Sequence, residues 1–70
     1  MDRVYLEENR LVGTYGGNDT FMDIWYEEED GNRTYYKRYW GEEPSGRDEV
    51  IDDPKELEKL LDDYSHILHP

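Results

Sequence analysis

An α+β domain, in which an antiparallel β-meander of three to four strands packs on one C-terminal α-helix as two layers, follows from three features of this sequence. Residues 20–40, TFMDIWYEEEDGNRTYYKRYW, are two aromatic-rich alternating runs closed around Asp30-Gly31. Shorter alternating runs stand ahead of them. Behind them, apolar residues recur at helical spacing after a strong helix-start signal.

Taken in order, residues 4–6 begin a short strand, Glu8-Asn9 reads as a turn, and residues 11–15 read as a second strand. Gly13 inside that strand signals a bulge or a close approach to the backbone. Gly16-Gly17-Asn18-Asp19 is a turn by composition. The main hairpin comes next, because Asp-Gly supplies the two positive-φ positions of a type I′ turn. With those two residues as the loop, Glu28 faces Arg33, Trp25 faces Tyr36, Asp23 faces Arg38 and Phe21 faces Trp40. A three-residue loop would shift the second strand by one and exchange these partners.

In the two-residue register, one face carries Phe21, Trp25, Tyr36 and Trp40 around an Asp23–Arg38 pair. The other carries Met22, Ile24, Tyr26, Tyr35 and Tyr39, with Lys37 among them. Both faces are largely apolar, whereas an antiparallel sheet with one wet side should be polar there. After the hairpin, residues 41–49 form a polar loop turning at Pro44-Ser45-Gly46, and Val50-Ile51 either adds a brief edge strand or simply pins the loop down. Asp53 is a good N-cap, Pro54 suits the first helical position, and Glu56 completes a capping box. Leu57, Leu60, Leu61, Tyr64, Ile67 and Leu68 then form one apolar stripe. One helix shelters one side of a sheet. The Met22, Ile24 and Tyr26 side is expected to be that side, since burying the Asp23–Arg38 pair would incur a large desolvation cost.

Seventy residues make one small domain, and with no Cys there is neither a disulfide nor a thiolate metal site. No apolar run reaches membrane-spanning length and no signal-peptide core is present, so a soluble cytoplasmic protein without a membrane partner is expected. The formal net charge of -11 lies beyond the range of roughly 2 to 8 that solubility favours in a small domain. Direct binding of nucleic acid is disfavoured, because neutralising phosphates takes Lys and Arg. The basic surface of a larger protein is the expected partner. Halophilic adaptation could also produce such a charge, but the absence of alanine and the aromatic-rich composition speak against it.

Candidate contact residues follow from these two excesses. Trp25, Tyr36 and Trp40 are of the types that dominate binding hot spots, against a competing role in core packing. Glu27, Glu28, Glu29 and Asp30 form one acidic run, and Glu42, Glu43, Asp48, Glu49, Asp52 and Asp53 gather as a second group relieved only by Arg47. Catalysis is not expected: no nucleophile motif surrounds Ser45 or Ser65, and no carboxylate pair is marked out as acid and base. No cofactor is expected either, since GTYGG lacks the features of a phosphate-binding loop and His66 with His69 supplies only two metal ligands.

In size and charge the chain is similar to phage-encoded anti-defence proteins and other nucleic-acid-mimic inhibitors, although no motif ties it to a named family. That likeness implies a non-enzymatic inhibitor that occludes a nucleic-acid-binding surface. Two alternatives share the same residues: an immunity protein or antitoxin facing one cognate toxin, and a module whose aromatic cage reads a cationic peptide. Self-association through an exposed sheet face is a further possibility.

Overall fold

The computed structural model describes residues 2–41 and 46–69, with Tyr15 described by its backbone alone. The strands are β1 (Arg3–Tyr15), β2 (Asn18–Glu29), β3 (Asn32–Gly41) and β4 (Glu49–Val50). They form one antiparallel sheet in the order β1-β2-β3-β4, so the chain is a meander. Helices α1 (Pro54–Asp63) and α2 (Ser65–Leu68) follow. The α+β two-layer architecture is as the sequence predicts.

The β2–β3 hairpin sets the geometry. Asp30 (φ 52°) and Gly31 (φ 81°) form the two-residue loop, and Glu29↔Asn32, Trp25↔Tyr36 and Phe21↔Trp40 are Cα partners. The side chains divide between the faces accordingly. Ile24 and Tyr35 enter the core with Leu6, Ile51, Leu60 and Tyr64, while Met22, Tyr26, Leu57 and Leu68 pack around it. The helical layer therefore covers the Met22, Ile24 and Tyr26 side, as the charge argument required. Backbone pairing carries the chain from β4 into the core, where the Ile51 amide donates to the Tyr35 carbonyl at 2.8 Å.

At the amino-terminal end the structure corrects the sequence reading. Glu8-Asn9 does not reverse the chain, and β1 is one continuous strand. Register shifts between Tyr5 and Glu7, between Glu7 and Arg10, and between Leu11 and Gly13 each add one residue on β1. Asn9 adopts φ 59°, and its amide donates to the Asp23 carboxylate at 2.8 Å. An αL residue that resembled a turn is instead absorbed as a bulge inside the ladder. The shift at Leu11/Gly13 agrees with the bulge expected from Gly13. The first hairpin loop is also tighter than its composition suggests. Gly16 and Gly17 alone form it, and Asn18 and Asp19 already belong to β2.

Asp53 caps α1, accepting from the Glu56 amide at 3.0 Å, and Pro54 opens the helix. Glu56 does not complete the reciprocal half of a capping box. Its carboxylate accepts from Lys37 Nζ at 2.6 Å instead, tying the first turn of α1 to β3. The predicted continuous stripe is interrupted at Tyr64, so Ile67 sits on a separate short helix and remains exposed, as does Leu61 on α1.

Replacing Asp53 by Ala removes the cap, and a loss of about 1 kcal/mol in a urea titration is expected. Glu58→Gln, on an exposed position of the same helix, should leave the midpoint within about 0.5 kcal/mol.

Candidate functional site

The sheet face away from α1 carries the predicted aromatic residues and has no second layer over it among the described elements. At its centre a row runs across all four strands in register, Tyr5–Trp25–Tyr36–Val50. Trp25 stacks on Tyr36 with ring centroids 5.6 Å apart and planes 15° apart, and Tyr5 lies tilted at 5.8 Å on the other side. Although it sits on the open face, Trp25 is only 1% exposed. Arg3 completes its cover: the guanidinium carbon stands 4.4 Å from the indole centroid.

Arg3 is held there by groups from β1, β2 and the loop before β4. Its Nε lies 3.6 Å from Glu27 Oε2 and its Nη2 lies 3.2 Å from Asp48 Oδ2. Arg3 Nη1 also donates to the Tyr5 hydroxyl at 3.4 Å. The Glu27 carboxylate accepts from the Trp25 indole N–H at 3.2 Å, so it joins the ring to the cation above it. The arrangement is a half-exposed cation lying on one indole face, with a tyrosine hydroxyl and two carboxylates at its edge. Sequence reasoning missed Arg3 and Tyr5. Their partners Trp25 and Asp48 are far away in the chain, and only the register of β1 brings them together.

Other expected contact residues lie elsewhere. Trp40 is half-buried and stacks on Phe21 at 4.8 Å, beside a cleft lined by Gly17, Asn18, Asp19 and Gly41. Its indole N–H and the Thr20 hydroxyl have no hydrogen-bond partner among the described residues. Trp25, expected at a contact surface, is enclosed; Tyr5, Tyr36 and Arg3 present the accessible surface around it. Asp23 and Arg38 are opposed as the register requires, yet no ion pair joins them, because the Asp23 carboxylate binds the Asn9 amide. Arg33 pairs with Glu28 at 3.0 Å, as expected, and also lies 4.4 Å over the Tyr26 ring.

The acids divide into engaged and unengaged groups. Glu27, Glu28, Asp48 and Glu56 have ion-pair partners, and no other described carboxylate has one among the described residues. Glu29 and Asp30 are exposed at the hairpin tip, and Glu49 is exposed on β4 opposite Lys37. Glu42, Glu43 and the Pro44-Ser45 part of the expected turn lie outside the described residues.

Register shows which acids share an end of the sheet. Arg3 is level with Glu27, Glu27 with Thr34, and Ile51 bonds to Tyr35. Glu28, Glu29 and Asp30 stand at the hairpin tip, and the chain runs toward that end at Asp2, just before Arg3, and at Asp52 and Asp53, just after Ile51. Of the second acidic group, Asp48 is drawn onto Arg3. Among the described residues, no three His, Asp or Glu side chains converge as a metal-ligand set, and no helix is long and apolar enough to cross a membrane.

Two groups on the covered face titrate away from their ordinary values. Burial pushes the Tyr64 phenol up and nearby Glu7 adds to the rise, against Arg10, whose Nη1 donates to the Tyr64 hydroxyl at 3.0 Å. The hydrogen bond to Glu56 raises Lys37, against partial burial. No protein-family model, curated protein or solved structure matches this chain.

Trp25→Ala removes the central ring of the row. A loss of about 3–5 kcal/mol is expected, enough to abolish the cooperative melt of a domain this small. Leu11→Ala, at an exposed site, should leave the melt nearly unchanged. Tyr64 and Lys37 both favour the protonated form in the folded chain. Their stabilisation is present below about pH 10 and is lost as pH rises through the raised values. Urea midpoints should fall above about pH 10, and Tyr64→Phe should flatten that fall. An unchanged pH profile in the variant would show that Tyr64 does not carry it.

Proposed function

We propose that this chain is a non-enzymatic acidic binder that docks on a basic, nucleic-acid-binding surface of a larger protein and occludes it. The observation that carries this reading is the acidic end of the sheet. Asp2, Glu29, Asp30, Asp52 and Asp53 have no ion-pair partners among the described residues, on a chain of net charge -11. In the same region Arg3 and Arg33 are engaged with carboxylates, and Lys55 in the first turn of α1 is a further basic residue. Carboxylates fixed on a rigid hairpin and at a capped helix start present negative charge with little ordering entropy left to lose.

Such a surface steers a cationic partner toward it and competes there with phosphate. The mechanism is electrostatic and steric occlusion, in the manner of a nucleic-acid mimic, and it requires no cofactor and no chemical step. Phage-encoded anti-defence activity is one setting in which such a protein would act. The half-exposed rings on the open face add apolar contact beside the acids. A second copy of the chain is a poor occupant of the acidic end, because it brings the same charge.

Capture from a nuclease-treated host lysate at low salt provides the test. Nucleic-acid-binding proteins should be retained and then released both by added NaCl and by competing duplex DNA. For a captured partner, the triple variant Glu29→Gln, Asp30→Asn, Asp52→Asn should weaken binding about tenfold. Asn tolerates the αL conformation at position 30, so the turn survives. A control variant, Glu58→Gln with Asp62→Asn and Asp63→Asn, should change affinity less than about twofold. Salt-insensitive capture, or equal losses from both triple variants, would remove the acidic end as the contact.

A further inference from the structure

The cover over Trp25 has the composition of a receptor for a guanidinium. It offers an indole face with Tyr5 and Tyr36 on either side, the Tyr5 hydroxyl, and two carboxylates, Glu27 on β2 and Asp48 in the loop before β4. The receptor is filled by the chain's own Arg3, 4.4 Å from the ring centroid. We infer that this cage is an arginine-binding site held closed by Arg3, and that an arginine side chain of the basic partner enters it by displacing Arg3. The inference rests on the occlusion reading above for the existence of that partner.

Four features support the exchange. Arg3 is the first residue of β1, and β1 is an edge of the sheet, so releasing Arg3 unpairs one terminal position and leaves the ladder from Val4 onward. Its side chain is 40% exposed, and ion pairs so open to water are weak and easily traded for others. Departure of Arg3 would uncover the face of a ring that is otherwise enclosed, so the cage favours a flat, weakly hydrated cation in its place. The surrounding net charge raises the local concentration of any arriving cation. A planar guanidinium lies on the indole and reaches both carboxylates, whereas a lysine ammonium is compact and strongly hydrated. The site therefore selects arginine over lysine.

The internal arginine lowers the apparent affinity by the fraction of time for which it occupies the cage. The test uses Arg3→Ala and Arg3→Gln, the probe acetyl-Gly-Arg-Gly-amide, and its lysine counterpart. Binding is followed at the Trp25 indole N–H resonance. Both variants should keep a cooperative melt and bind the arginine peptide about tenfold more tightly than the unaltered chain. The Trp25 resonance should move, and the lysine peptide should bind more weakly. Equal binding by all three proteins, an unmoved Trp25 resonance, or equal affinity for the two peptides overturns the assignment. So does unfolding of both variants, since a side chain the fold cannot release cannot be exchanged. If the cage assignment fails while salt- and DNA-sensitive capture persists, the occlusion reading survives without it. If the peptides behave as expected but that capture is absent, the cage stands and occlusion falls.

Discussion

The closed two-residue turn at Asp30-Gly31 is the constraint on which the remaining structure depends. A sheet has a side-chain period of two, so one slip in register would exchange every inward and outward residue of β3. With the turn closed, Ile24 and Tyr35 meet the helical layer, and Trp25 and Tyr36 meet on the reverse. Tyr5 and Val50 join the second row only because their strands add to this hairpin on either side.

A ribbon with two apolar faces and one helical cover leaves a deficit, and the described residues meet it without a second layer. Part of the cover comes from long cationic side chains lying flat on rings: Arg3 over Trp25 on the open face and Arg33 over Tyr26 on the other. Such side chains shield apolar surface with their stems and keep their charged ends near water and carboxylates. The scarce basic residues are therefore placed against rings as well as against acids. At the tip end Glu28 is paired with Arg33, while Glu29 and Asp30 have no ion-pair partner among the described residues.

The sequence was most legible where interactions are local. The hairpin register, the faces of β2 and β3, the Asp53 cap and the covered side all follow from spacing within a few residues. Legibility failed where a distant group satisfied a local need. Asn9 looked like a turn, but the Asp23 carboxylate holds its amide within a continuous strand. Glu56 had the spacing of a capping box, but Lys37 takes its carboxylate. Asp48 belonged by sequence to an exposed acidic loop, and Arg3, distant in the chain, engages it. No periodicity encodes those pairings. Each arises only after the meander has brought its strands side by side.

The irregularity of β1 bears on how this domain behaves in a crowd. A thirteen-residue border strand with a straight backbone would offer a template on which further chains could add and grow into fibres. Three interruptions of its pairing, one of them a left-handed kink tethered by Asp23, break the run of evenly spaced amide and carbonyl groups that such growth needs. A molecule rich in tyrosine and tryptophan can thus keep its flank open to water without inviting polymerisation.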